Sequence, residues 1–125
     1  LHPAPRRVAI VGLGSGATAW AASARPDTEA IVVWEVFGGQ PRLLREYAAR
    51  PGDPAADWFT RDPRVSVRPG DGRRHLRLGD ERFDVIEADA LRPESAMAGH
   101  LYSVEFFSLV RSRLRDGGLA VTWVP

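Results

Sequence analysis

The chain has 125 residues, of which 44% are hydrophobic and 26% charged, a balance typical of globular proteins rather than of disordered segments. Its formal net charge is only +1, so no strong positive field is available to attract nucleic acid, and we expect no nucleic-acid partner. The absence of cysteine excludes disulfides and thiolate metal sites, and the three histidines are too widely spaced to predict a metal site.

Length and hydropathy predict a single domain over residues 1–125. A domain of this size buries roughly two thirds of the surface of its extended chain, which is enough for one core. No apolar run approaches the roughly 20 residues that a bilayer-spanning helix needs. We therefore expect no membrane partner and a cytoplasmic location.

Strand and helix patterns alternate along the first half of the chain. An apolar run at 8–11 leads into a glycine-rich stretch and then into helix-forming residues at 17–24. A second, β-branched run at 30–36 precedes a helical pattern at 41–49. Prolines punctuate residues 50–63, which we interpret as a loop.

The same alternation continues in the second half. Strands are predicted at 65–67, 83–89 and 119–124, and helices at 71–78 and 104–114. This pattern predicts an α/β fold, a doubly wound and mostly parallel five-stranded sheet in the order 3-2-1-4-5 with helices on both faces. Ligands of such sheets bind beyond the carboxyl ends of the strands, where the strand order reverses.

Three glycines follow the first predicted strand. Gly12, Gly14 and Gly16 allow a sharp turn into the helix and remove Cβ atoms that would keep an adenosyl ligand away from the backbone. Backbone amides at the start of the helix then face the ligand. Taken alone, the motif also fits a dinucleotide such as NAD, or a turn that serves only packing.

An acidic residue lies at the end of, or shortly after, three of the other predicted strands. Glu35 lies where a carboxylate accepts hydrogen bonds from ribose hydroxyls, unless it is only a strand-end acid in water. Asp71 either caps the next helix or both caps it and accepts from an adenine amine. Asp89 is placed to orient or deprotonate an attacking amine, or else ends the strand as a turn acid.

These motifs together resemble the spermidine synthase (polyamine aminopropyltransferase) family, whose core has the Rossmann-like fold of class I S-adenosylmethionine-dependent methyltransferases. The resemblance extends over nearly the whole chain. It rests on Val8-Ala9-Ile10-Val11-Gly12-Leu13-Gly14-Ser15-Gly16, on Asp62-Pro63-Arg64-Val65 with Gly70-Asp71-Gly72, on Phe83-Asp84-Val85-Ile86, on Leu101-Tyr102-Ser103, and on Asp116-Gly117-Gly118.

The resemblance implies a role for each motif. S-adenosylmethionine or its decarboxylated form would be the co-substrate, with no metal. The stretch 12–16, including Ser15, would hold its amino acid portion, Glu35 its ribose, and Asp71 with Gly72 its adenine, while Asp89 would be the catalytic acid.

The sequence also departs from the family pattern. Ser15 and Arg92 stand where the family has acids, and a cation close to a diamine site repels it by about 1 kcal/mol per close pair. The resemblance places Arg92 and Tyr102 on the substrate side. We expect the sheet to lack the family's final antiparallel strands, which leaves the strand at 119–124 as an edge able to pair with a second copy.

Three functions remain open at this stage. The preferred one is a spermidine synthase-like domain that transfers an aminopropyl group to a polyamine. The alternatives are an S-adenosylmethionine-dependent small-molecule methyltransferase, which needs chiefly alignment of nucleophile, methyl and sulfur, and a non-catalytic cofactor-binding or structural domain. NAD binding is less favoured, because the Gly-Asp-Gly and Asp-Gly-Gly stretches fit the adenosylmethionine pattern better.

Overall fold

The computed structural model describes residues 2–48, 61–88 and 92–122. The described strands form one parallel sheet in the predicted order β3-β2-β1-β4-β5. The strands are β1 (Arg7–Val11), β2 (Ala30–Glu35), β3 (Val65–Pro69), β4 (Phe83–Ala88) and β5 (Leu114–Val121). The helices are α1 (Ala17–Ser23), α2 (Gln40–Ala48), α3 (Gly72–Leu78) and α4 (Val104–Arg113), with a 3₁₀ turn at Ala98–His100.

Two apolar layers cover the two faces of the sheet. On one face, Ile10 and Val33 pack with Ala19 of α1. On the other face, the larger layer includes Leu76 of α3 and Phe106 of α4, which are almost fully buried. Because each such side chain contributes about 1.5–3 kcal/mol when buried, these layers hold the helices against the sheet. None of the described helices is both long and apolar enough to cross a membrane.

The strand register brings the predicted site segments together. Val11 at the end of β1 lies between Trp34 of β2 and Ala88 of β4. The carboxyl ends of these three strands therefore lie side by side, at the point where the strand order reverses. This is the edge at which the sequence predicts a ligand site.

The boundaries of β1 and β2 agree with the prediction to within one residue, whereas those of β3 and β5 differ by more. The last strand was predicted at 119–124, but β5 begins at Leu114, directly after α4. Leu114 pairs with Phe83, the chain then loops out, and pairing resumes with Leu119 opposite Val85. Pairing also extends β3 to Pro69, which an edge strand tolerates because it needs no donor on its open side.

Some predictions fall on residues that the structure does not describe. Most of the predicted loop at 50–63 lies outside the described ranges, and so does Asp89. Since β5 pairs only with β4 in the described sheet, it is an edge strand as expected. Its pairing with a second copy remains a prediction.

The Asp-Pro-Arg-Val motif stabilises the amino-terminal side of the sheet. The Arg64 guanidinium pairs with Asp62 at 2.7 Å and also donates to the carbonyls of Ser23, at 2.7 Å, and Thr28, at 3.0 Å. These bonds tie the start of β3 to the end of α1 and to the turn before β2. Hydrogen bonding to Arg64 lowers the pKa of Asp62 below its usual value.

A buried carboxylate joins β1 to β4. Asp84 Oδ2 accepts hydrogen bonds from the backbone amides of Arg6, at 2.8 Å, and Arg7, at 2.7 Å. Burial by itself would raise the pKa of Asp84, but these amides and the nearby Arg115 guanidinium outweigh burial and lower it. Asp84 therefore helps to set the register of the two central strands.

Candidate functional site

A cavity of about 750 Å³ opens at the carboxyl edge of the sheet. Its walls come from the glycine-rich turn (residues 12–16), the end of β2, the Gly-Asp-Gly turn (residues 70–72) and the segment 97–101. A volume of this size is typical of small-molecule sites. The cavity thus brings together segments that are far apart in the sequence.

The glycine-rich turn requires glycine for its backbone conformation. Gly12, Gly14 and Gly16 have φ values of 96°, 52° and 83°, in the left-handed region that other residues rarely adopt. Gly12 also donates its backbone N–H to the Trp34 carbonyl at 2.8 Å, which fixes the turn to β2. Gly14 and Ser15 are exposed on the cavity wall, whereas Gly16 is buried at the start of α1 and does not line the described cavity.

Glu35 lines the cavity and is almost completely buried, with 8% of its surface exposed. The alternative of a strand-end acid in water is therefore wrong. Its Oε2 accepts from the Leu13 backbone N–H at 2.8 Å, and its Oε1 accepts from the Phe37 backbone N–H at 2.7 Å. Each carboxylate oxygen can accept a further hydrogen bond, so Glu35 can support the glycine-rich turn and bind a ligand at once.

Gln40 is a site residue that the sequence analysis missed. Its side-chain amide donates to the Gly14 carbonyl at 2.7 Å, and the residue lines the cavity. Gln40 opens α2, directly after two glycines that end the β2 turn. The sequence shows a glutamine at the start of the predicted helix, but its partner Gly14 is 26 residues away, and no local pattern indicates this contact.

Asp71 caps α3, as the sequence predicts. Its Oδ1 accepts from the Arg74 backbone N–H at 3.0 Å, and the exposed carboxylate lines the cavity. The following Gly72 is buried against β1, since a Cβ at that position would lie 2.9 Å from both terminal carbons of Val11. The Gly-Asp-Gly turn therefore approaches β1 more closely than a larger residue would allow.

The fourth wall was not predicted from the sequence. Met97 lines the cavity with a left-handed φ of 69°, and Arg73 of α3 donates to the His100 carbonyl at 2.7 Å. Arg92 and Tyr102, predicted on the substrate side, do not line the described cavity, and Arg92 is exposed. Asp89 lies outside the described residues.

The cavity carries charges of both signs but no metal centre in its described part. Glu35 and Asp71 are acidic lining residues, and Arg73 is basic. No group of three or more His, Asp or Glu side chains in the described ranges is arranged to hold a metal ion. The polar groups suit a ligand with several hydrogen-bond donors and at least one charge.

The model of the spermine/spermidine synthase domain matches residues 1–123. The chain belongs to this family. Polyamine aminopropyltransferase 1 of Hyperthermus butylicus is 36% identical over 126 residues, covering 98% of this chain and 42% of that protein. Polyamine aminopropyltransferase 1 of Pseudomonas aeruginosa is 32% identical over 121 residues, covering 97% of this chain and 41% of that protein. The chain therefore spans about two fifths of the length of these relatives.

Solved structures confirm the Rossmann-like fold of this spermidine synthase-family chain. A spermidine synthase in complex with the transition state analogue AdoDATO superposes with a TM-score of 0.78 and 26% identity, over 97% of this chain and 37% of that one. The spermidine synthase of Thermotoga maritima superposes with a TM-score of 0.72 at 23% identity and the same coverage, a likeness that supports the fold alone. The resemblance inferred from the sequence motifs is thereby confirmed.

Proposed function

We propose that this spermidine synthase-like domain binds decarboxylated S-adenosylmethionine in the cavity and takes part in aminopropyl transfer to a polyamine. The observation that carries the proposal is that Glu35 and Asp71 line the same cavity as the glycine-rich turn. A relative of the same fold is known in complex with AdoDATO, and other relatives are polyamine aminopropyltransferases.

The proposed pose follows the positions of the polar groups. The ribose hydroxyls donate to Glu35, whose oxygens each retain an acceptor site. The adenine lies toward Gly72, where its exocyclic amine donates to Asp71. The propylamine end then extends along Gly14 and Ser15.

The proposed reaction is a displacement at carbon. The amine nitrogen of the acceptor attacks the propyl carbon bonded to the sulfonium, the carbon–sulfur bond breaks, and its electron pair goes to sulfur, which releases methylthioadenosine. The attacking nitrogen must lose a proton. We assign that role to Asp89, which follows Ala88 directly, and Ala88 lies beside Val11 at the start of the glycine-rich turn.

Asp89→Asn is expected to leave cofactor affinity nearly unchanged and to reduce transfer by about 100-fold or more, because an amide cannot take the proton. The measurement is single-turnover transfer alongside a calorimetric dissociation constant. Unchanged transfer would remove Asp89 from the mechanism. Arg92 and Tyr102 remain proposals for the acceptor side.

Methyl transfer from S-adenosylmethionine is a second candidate, and the cavity wall beside the proposed propylamine end favours it. Ser15 provides no charge to hold an ammonium group. A small acceptor without positive charge would suit this arrangement.

Calorimetric titration distinguishes these candidates. The ligands are S-adenosylmethionine, its decarboxylated form, methylthioadenosine and NAD, followed by a turnover assay with putrescine. Preference for the decarboxylated form with transfer supports aminopropyl transfer. Binding of S-adenosylmethionine without transfer supports a methyltransferase or a non-catalytic domain, and binding of NAD alone contradicts both candidates.

A charge variant gives the pose its own test. Ser15→Asp is expected to strengthen binding of the decarboxylated form by about fivefold, since a new carboxylate near its ammonium group adds about 1 kcal/mol. Ser108→Asp adds the same charge on exposed α4, away from the cavity, and should have no effect. Equal effects of the two variants would contradict the placement of the propylamine end.

A further inference from the structure

His75 contacts both β2, through Trp34, and the end of β3, through Pro69. Its ring lies nearly parallel to that of Trp34, with an interplanar angle of 9° and centroids 5.7 Å apart. Its Nε2 lies 3.0 Å from the Pro69 carbonyl oxygen. Because a carbonyl only accepts, the hydrogen of this bond belongs to Nε2. One side chain of α3 therefore joins the end of β3 to β2.

Trp34 is held by strand pairing and core packing, with no hydrogen bond from its indole among the described residues. It is buried, with 3% of its surface exposed, and lines the cavity. Phe83 contacts it edge-on at 5.8 Å, and His75 covers its face. Removal of the His75 ring would thus release one of the two ring contacts that Trp34 makes among the described residues.

The turn that carries Asp71 packs directly on His75. Gly70 has a φ of 122°, and a Cβ there would lie 2.9 Å from His75 Nε2. On its other side, the Gly70 backbone N–H donates to the Glu35 carbonyl at 2.9 Å. The Gly-Asp-Gly turn is therefore held between the β2 backbone and the imidazole of His75.

We propose that His75 is a positioning residue that holds Asp71 where the site distinguishes adenine from purines without an exocyclic amine. The inference rests on the proposed function, in which Asp71 accepts from that amine. An inosine ligand presents a carbonyl there, so the carboxylate faces an acceptor. Such discrimination requires the turn to be held to about half an ångström, because hydrogen bonds weaken steeply away from their preferred geometry.

Two substitutions separate the two contacts of His75. His75→Phe keeps an aromatic ring on Trp34 but removes the donor to Pro69. His75→Gln keeps a donor at the position of Nε2 but removes the ring. Arg77→Gln, on the exposed face of the same helix, is the matched control.

The readout is the ratio of the dissociation constants for 5′-methylthioinosine and 5′-methylthioadenosine, measured by calorimetry with the thermal midpoint of each variant. We expect the wild type to prefer the adenosine ligand by about tenfold or more, as for a charged hydrogen bond. His75→Phe should bring the ratio close to one. His75→Gln should keep most of the preference while weakening both ligands, and Arg77→Gln should match the wild type.

A purely structural role of His75 gives a different result. It would lower the thermal midpoint and weaken both ligands equally, with the ratio unchanged in His75→Phe, and that outcome overturns the inference. If His75→Phe does not fold, the double variant Asp71→Asn with His75→Gln is compared with Asp71→Asn alone. If the double variant loses more of the preference for the adenosine ligand, His75 does not act through Asp71, and the inference is overturned. If the wild type bound neither ligand, the proposed function itself would be refuted. If it bound both equally, only the discrimination of adenine by Asp71 would be refuted.

Discussion

Replacement of Glu35 by glutamine tests whether one buried carboxylate supports the glycine-rich turn. Both of its oxygens accept backbone amides, from Leu13 at 2.8 Å and from Phe37 at 2.7 Å. Glutamine has nearly the same shape, but its NH₂ group must face one of these N–H donors. That donor, either the buried Leu13 amide or the half-buried Phe37 amide, then loses its partner, which costs about 1–3 kcal/mol.

We expect Glu35→Gln to lower the free energy of unfolding by about 2 kcal/mol. For a domain of this length, that loss corresponds to a thermal midpoint lower by roughly 6–12 °C. Urea unfolding followed by circular dichroism measures the free energy, and a thermal scan measures the midpoint. Methylthioadenosine binding should weaken as well, because the turn and the ribose acceptor change together.

Glu46→Gln is the matched control for the loss of charge. Glu46 lies on the exposed side of α2, where it pairs with Arg42 at 3.3 Å. An exposed pair of this kind contributes less than about 0.5 kcal/mol, so the control should unfold almost like the wild type. If Glu35→Gln were as stable as Glu46→Gln, the hydrogen bonds of Glu35 to Leu13 and Phe37 would contribute nothing to stability, contrary to this prediction.

Three further substitutions test other parts of the fold. Because the folded state lowers the pKa of Asp84, its contribution is present above the unfolded pKa of about 3.9 and is lost as the pH falls through the folded pKa. Asp84→Asn should therefore flatten the loss of stability below about pH 4, and acid titrations parallel to the wild type would contradict this. In Arg64→Lys the single ammonium group cannot bond to Asp62 and to both carbonyls together, so the free energy of urea unfolding should fall by about 1–3 kcal/mol. A loss below about 0.5 kcal/mol would show that these bonds do not stabilise the fold. Gly72→Ala should lower the free energy of unfolding by about 1–3 kcal/mol, because the new methyl group overpacks against Val11. Adding Val11→Ala should recover part of this loss. Strictly additive losses would show that the two side chains do not touch.

Several features of the fold were predictable because they depend on neighbouring residues. The alternation of β-branched runs with helical patterns predicted a doubly wound parallel sheet, and the strand order expected for that fold class is confirmed by the structure. The glycine-rich turn was predictable because positive φ values favour glycine. The cap of α3 by Asp71 was predictable as well, since a cap forms within a single turn of chain.

The sequence was also informative at the level of the family. Motifs spread along the chain indicated a spermidine synthase-like core, and the family match over residues 1–123 confirms it. The family match does not by itself assign roles to individual site residues. Glu35 and Asp71 line the cavity as expected, but their ligand roles remain predictions, as does the role of Asp89.

The sequence by itself thus determined the alternation of strands and helices, the glycine-rich turn and the cap of α3, all of which follow from local periodicity and backbone preference. Only the tertiary structure decided which groups meet. Glu35 is buried because it reaches Leu13, 22 residues away. His75 contacts both β2 and β3 because these two strands pair in one register. β5 begins early because Leu114 pairs with Phe83. Pairing between distant segments depends on the packing of the whole sheet, and no local pattern carries that information.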